Sequence, residues 1–244
     1  MRNIRLILAY DGTRYRGWQR LAGADNTIQG KLEQTISRLL AEPVQVHGSG
    51  RTDAGVHALG QVANFHCQSA MPCPQILAGL GQYLPEDIGV LSCQEVHPRF
   101  HARLNALSKT YLYRVWNSTE PCVFQRRYVY RMPEALDTAA MEQAAAHLLG
   151  KHDFRAFSTG KSGKKSTLRT IYRLEIFREG PEVRFLVQGD GFLYNMVRIM
   201  VGTLLEAGLG RKQDIPEIFA AGRREAAGYT VPASGLFLQE VTYP

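Results

Sequence analysis

Asp53 stands at the centre of the most chemically committed stretch of the chain, Gly48-Ser49-Gly50-Arg51-Thr52-Asp53-Ala54-Gly55-Val56-His57, with Arg51 two residues before it. An aspartate is ionised at neutral pH, and a nearby arginine keeps it so even where a substrate excludes water. Such a carboxylate can act as a nucleophile without an attendant base. The plainer reading is a turn aspartate bonded to its own backbone, as aspartates beside glycine often are. The density of polar groups around Asp53, with Arg51 and His57 flanking it, favours the chemical reading. Gly48, Gly50, Gly55 and Gly60 supply backbone conformations that a side chain would forbid.

Arg198 is the second signal. It lies in the apolar run Met196-Val197-Arg198-Ile199-Met200-Val201, where a lone charge is costly to bury and calls for an anionic partner. Asp53 would serve; an arginine snorkelling from the edge of a core helix is the alternative. Tyr111 shares one face of a strand with Tyr113 and Val115 in Lys109-Thr110-Tyr111-Leu112-Tyr113-Arg114-Val115. It is either a core aromatic or a platform on which a nucleobase stacks. Basic clusters at Arg14, Arg16 and Arg20, at Arg126, Arg127 and Arg131, and at Lys161, Lys164 and Lys165 suit phosphates along an extended RNA better than a small-molecule pocket. The last cluster, in Gly160-Lys161-Ser162-Gly163-Lys164-Lys165-Ser166, has the wrong glycine spacing for a nucleotide phosphate loop.

Other chemistries lack anchors. Cys67, Cys73, Cys93 and Cys122 form no C-x-x-C pair, and no histidine falls at a metal-ligand spacing, so no metal site is expected. There is no serine-hydrolase elbow. The net charge of +7 favours a polyanionic partner. The longest apolar run, Phe192 to Leu205, is interrupted by Tyr194, Asn195, Arg198 and Thr203 and is too short for a membrane span. The N-terminus enters a strand pattern without the apolar core of a signal peptide, so a cytoplasmic protein is expected.

The elements that must hold these residues follow from periodicity. Ile4, Leu6, Leu8 and Tyr10 alternate as a first strand. Ile28, Leu32, Ile36, Leu39 and Leu40 share a helical face, begun by a capping box of Asn26 with Gln29 and stopped by Pro43. Strands flank the Asp53 loop, Pro74 starts a short helix, and residues 88 to 96 form another strand. The second half repeats the order: a strand at 109–116, a helix at 137–149 ended by Gly150, and strands at 168–177 and 183–188. An apolar helix at 192–207, a short helix at 214–221 and a closing strand at 236–241 complete it. Two split β-α-β units in tandem imply an α+β chain with antiparallel sheets, divided near residues 104 to 108 into an N-terminal half, 1–105, and a C-terminal half, 106–244.

Arg51-Thr52-Asp53-Ala54-Gly55-Val56-His57-Ala58 resembles the catalytic motif of the tRNA pseudouridine synthase A (TruA) family. The resemblance continues along nearly the whole chain. It includes Tyr10-Asp11-Gly12-Thr13-Arg14-Tyr15-Arg16-Gly17-Trp18-Gln19, Lys109-Thr110-Tyr111, His152-Asp153-Phe154, Gly191 to Arg198, and Pro232-Ala233-Ser234-Gly235-Leu236. It implies an isomerase that converts uridine to pseudouridine at positions 38 to 40 in the anticodon arm of tRNAs, without cofactor or metal. By the same resemblance Asp53 is the nucleophile, Tyr111 stacks on the target base, and Arg198 pairs with Asp53. Arg51 helps hold the flipped nucleotide, and Leu236 packs near the base. The implied fold is two ferredoxin-like halves with sheets joined around a central catalytic cleft, and the implied assembly is a homodimer. Two alternatives stay open: a catalytically silent RNA-binding protein on this scaffold, and the same chemistry on another RNA.

Overall fold

The computed structural model describes residues 1–21, 23, 26–160, 166–211 and 214–244. Lys161, Lys164 and Lys165, expected to contact RNA, lie outside the described residues. The chain forms two compact units, Met1–Leu107 with Phe237–Pro244, and Ser108–Leu236.

In the first unit, β1 (Arg2–Tyr10), α1 (Ile28–Leu40), β2 (Val46–Gly48), β3 (His57–Cys67), α2 (Cys73–Tyr83) and β4 (Ile88–Val96) follow in sequence. β1 lies between β4 and β3, antiparallel to both, and β2 pairs antiparallel with β3. This is the order that two interleaved β-α-β units produce. Alternate residues of β1, Ile4, Leu6, Leu8 and Tyr10, are buried, and Ile28, Leu32 and Ile36 of α1 are fully buried. The cap of α1 differs from the expected box. Thr27 is the N-cap, its hydroxyl accepting from Gly30 N at 3.2 Å, one position later than Asn26. Gln29 is spent elsewhere: it donates to Val46 O and Glu33 Oε1 and accepts from Arg20 N. Pro43 is not the stop either, because the helix ends at Leu40 and Ala41 turns left-handed, at φ 53°.

The second unit contains β5 (Ser108–Trp116), β6 (Tyr130–Arg131), α3 (Thr138–Ala146), β7 (Gly150–Asp153), β8 (Leu168–Glu179), β9 (Glu182–Gly189), α4 (Met196–Gly208) and α5 (Ile215–Ala221). β9 lies between β5 and β8, and β7 extends the sheet beyond β8; all three pairings are antiparallel. Ten residues of α4 are buried, as befits a helix apolar on every side. Two boundaries move from their expected places. α3 ends at Ala146, and Gly150, at φ 90°, opens β7 rather than closing the helix. α4 begins at Met196, because Asn195 adopts a left-handed conformation that periodicity does not register.

The last strand, β10 (Leu236–Thr242), was expected in the C-terminal half. From Phe237 onward it belongs to the first unit, where Phe237 and Leu238 pair in parallel with His57 and Ala58 of β3. Leu107 N donates to Thr242 O at 2.9 Å, and the Tyr243 hydroxyl donates to Ala102 O at 2.6 Å. A single-strand pattern cannot state which sheet it will join; these bonds decide it.

Candidate active site

Asp53 sits half-buried at the first corner of a tight turn between β2 and β3. Val56 N donates to Asp53 O at 3.1 Å, and Gly55, at φ 78°, occupies the turn position that requires a positive φ. The N-terminal segment after β1 packs against both sides of this turn. Trp18 N donates to Thr52 O at 2.9 Å, and a Cβ on Gly17 would lie 2.6 Å from that same oxygen. A Cβ on Gly12 would lie 2.0 Å from Val56 O. Two backbones meet here at a distance only glycine permits.

Beneath the turn lies a buried polar network. The Tyr10 hydroxyl is 2.8 Å from Thr52 Oγ1, Gln61 Nε2 donates to Tyr10 Oη at 3.4 Å and to Gly50 O at 3.1 Å, and the Ser49 hydroxyl donates to Gln61 Oε1 at 2.6 Å. Burial pushes the Tyr10 hydroxyl up to about 12, against the pull of its bonds to Thr52 and Gln61, so it keeps its proton and serves as a strut. Trp18, 6.1 Å from the Tyr10 ring, fills the space where Gly48 has no side chain; a Cβ there would come within 2.6 Å of the indole. His57 is buried, accepts from Gly12 N at 3.1 Å, and stacks on Phe237 at 4.7 Å. Arg51 is exposed at the mouth of the loop.

In the second unit, Tyr111 is buried on β5 opposite Val187 and meets the edge of Phe192 at 5.0 Å. Arg198, half-buried on the first turn of α4, donates from Nε to Val231 O at 2.7 Å and from Nη1 to Asn195 Oδ1 at 2.8 Å. The segment Gly228–Val231 is laced along the same helix. Gly228 N donates to Thr203 Oγ1 at 2.9 Å, and a Cβ on Gly202 would lie 1.9 Å from Tyr229 O. Tyr113, fully buried and held well above its ordinary pKa by that burial, donates its hydroxyl to Pro232 O at 2.8 Å. Leu236 follows, buried, at the end of a 3₁₀ turn.

A family model described as tRNA pseudouridine synthase matches residues 6–105 and 144–244. Over 245 aligned positions the chain is 46% identical to tRNA pseudouridine synthase A 2 of Bacillus cereus (strain ZK / E33L), with 100% of each chain covered. It is also 46% identical to tRNA pseudouridine synthase A of Acetivibrio thermocellus, again with 100% of both covered. The chain belongs to the tRNA pseudouridine synthase family. A solved structure titled "Crystal Structure of a Cbf5-Nop10-Gar1 Complex" overlaps it at 15% identity and a TM-score of 0.37, covering 86% of this chain and 44% of that one, a likeness that adds nothing to the assignment.

As a tRNA pseudouridine synthase of the TruA type, the protein is an isomerase acting on tRNA uridine. Asp53, Arg51, Arg198 and Leu236 fall within the residues matched by the family model, and Tyr111 falls outside them. Asp53 and Arg51 belong to the first unit; Tyr111, Arg198 and Leu236 belong to the second, where Phe192 brings Tyr111 to the segment that leads into Arg198. Arg14 is exposed, but Asp87 already engages it, at 2.6 Å from Nη2 and 3.0 Å from Nε. Arg126 and Arg131 instead bond main-chain oxygens, Val123 O and Thr119 O, which leave a guanidinium's charge unmatched. Among the described residues no helix is long and apolar enough to cross a membrane. The reading by residue type missed the struts of the synthase loop: Tyr10, Gly12, Gly17, Trp18, Ser49, Thr52 and Gln61. Tyr10 to Trp18 and Thr52 lay within the motifs that carry the resemblance, but nothing in the type or spacing of these residues marked them as supports.

Proposed function

We propose that the enzyme isomerises uridine to pseudouridine at positions 38 to 40 in the anticodon arm of tRNAs, with Asp53 as the nucleophile. The N1–C1′ bond of the nucleotide breaks, the uracil turns, and a C5–C1′ bond forms. The C5 proton leaves and N1 gains one, so the net change is an isomerisation without cofactor. Three routes begin at Asp53: attack on C1′, attack on C6, or removal of a sugar proton to give a glycal. Each needs an ionised carboxylate held still. The observation that carries this reading is the clamped turn itself, with a half-exposed carboxylate on a backbone fixed from both sides.

Around that carboxylate, Arg198 pairs with Asp53 and Arg51 holds the extruded nucleotide. Tyr111 stacks on the uracil, and Leu236 forms an apolar wall beside it. Extruding a base costs a few kcal/mol, less in a loop than in a duplex. Phosphate contacts from Arg14, Lys161, Lys164 and Lys165 offset that cost. The protein works in the cytoplasm as a homodimer.

The test is release of tritium from C5-labelled uridine in tRNA by the purified protein. Asp53→Asn abolishes release while tRNA binding survives. Binding without turnover by the natural protein defeats the proposal, and pseudouridines mapped outside positions 38 to 40 defeat its choice of site.

A further inference from the structure

Asn195 is one of two described residues other than glycine with a positive φ, and its backbone lies at φ 61°, ψ 7°. Asparagine enters this region more readily than most residues, but the conformation remains uncommon and collects at functional sites. Asn195 occupies the N-cap of α4, where an asparagine ordinarily turns its side chain onto the first exposed N–H groups of the helix. Its carbonyl does accept the first helical bond, from Ile199 N at 3.0 Å, yet its side chain makes no capping bond. The amide is committed elsewhere.

Oδ1 accepts from Arg198 Nη1 at 2.8 Å, and Nδ2 donates to Thr159 Oγ1 at 2.7 Å. The amide's orientation is not arbitrary. A guanidinium has only donors, so the oxygen must face Arg198, and the nitrogen is left for the hydroxyl. Thr159 belongs to a short strap, residues 158–160, that is itself docked on the same turn. The Ser158 hydroxyl donates to Tyr194 O at 3.2 Å, Thr159 N donates to Tyr194 O at 3.4 Å, and Gly160 N donates to Ser158 Oγ at 3.1 Å. With Val231 O on Nε, the Arg198 guanidinium is therefore held on two edges.

We infer that Asn195 is a positioning residue for isomerisation: its amide clasps Arg198 with one end and the Ser158–Gly160 strap with the other, fixing the guanidinium before substrate arrives. The left-handed backbone places the amide where an ordinary N-cap would not. The inference rests on the role given above to Arg198.

The experiment compares Asn195→Gly, Asn195→Asp and Arg198→Met in the full-length protein, with single-turnover rates, KM for tRNA and melting temperature measured for each. Glycine keeps the left-handed backbone without the amide. It lowers the rate of the chemical step about 10- to 100-fold, the range expected when a reacting group's support is misplaced. KM stays within about twofold and the melting temperature does not fall. Aspartate restores an acceptor to Arg198, and the Thr159 hydroxyl can turn to donate to it, so most of the lost rate returns. Arg198→Met, in parallel, loses at least as much as the glycine variant. Near-normal turnover by Asn195→Gly while Arg198→Met is impaired overturns the inference alone. Near-normal turnover by Arg198→Met removes the role of Arg198 and the inference with it. A glycine variant whose rate and melting temperature fall together, with no recovery in the aspartate variant, marks a purely structural residue and also overturns it.

Discussion

The Tyr10 hydroxyl lies 2.8 Å from the Thr52 hydroxyl, so the end of the first strand touches the residue immediately before Asp53. Both groups are buried, and Gln61 completes the contact from the third strand. The first strand therefore supports the Asp53 loop as well as the sheet.

Removing that hydroxyl tests the support. Tyr10→Phe leaves the Thr52 hydroxyl without a buried partner and weakens the hold on Gln61. The expected cost is about 1–3 kcal/mol of stability. Urea unfolding measures this, and turnover should fall by more than KM changes. A variant as stable as the natural protein would show that the network is dispensable.

Gly17→Ala is penalised twice. The backbone sits at φ 93°, and the new methyl group would lie 2.6 Å from Thr52 O. A loss above about 1 kcal/mol is expected from the conformation alone. Because the turn must shift to make room, tritium release should collapse while tRNA retention on a filter persists. Equal loss of both would place the damage elsewhere.

Two further glycines should respond in opposite directions. Gly202→Ala puts a methyl group 1.9 Å from Tyr229 O, prising residues 228–231 from the helix, with a cost of about 1–3 kcal/mol or more. Gly81→Ala, on the exposed face of α2 with nothing within 4 Å, should instead add about 0.5–1 kcal/mol. Melting temperatures of the two variants give the answer directly.

Acid stability should depend on Asp153. The Arg155 guanidinium, bonded to its carboxylate, draws it from 3.8 to about 2, against partial desolvation and with help from the Thr167 hydroxyl. A carboxyl with a depressed folded pKa contributes stability above its unfolded value, and that contribution fades as pH falls toward the folded one. The window is thus roughly pH 4 down to pH 2. The pair is largely exposed, so the effect is small. Asp153→Asn should flatten this part of the urea stability profile and leave its shape near neutrality unchanged.

The alternation of Ile4, Leu6, Leu8 and Tyr10, and the helical stripe of Ile28, Leu32 and Ile36, were legible because burial on one face imposes a period. The Asp53 loop stood out because aspartate, arginine and glycine are rarely concentrated without cause. What escaped were decisions made by contacts distant in sequence. Thr27 rather than Asn26 caps α1 because Asn26 donates to Arg14 O, and the start of α4 waits for Asn195, whose backbone obeys no apolar rhythm. Arg198 was read as needing an anion, yet its bonds within its own unit go to an amide and a carbonyl, dipoles that a hydropathy pattern does not reveal.

The pairing of Phe237 and Leu238 with β3 bears on how the protein is made. The Asp53 loop leaves the ribosome long before the strand that lies beside His57. β2 already covers the far end of β3, at Ala63 to Phe65, but His57 and Ala58 gain their parallel partner only when Phe237 and Leu238 emerge. A chain that stopped before Phe237 would carry the whole Asp53 motif beside an end of β3 left without its parallel partner.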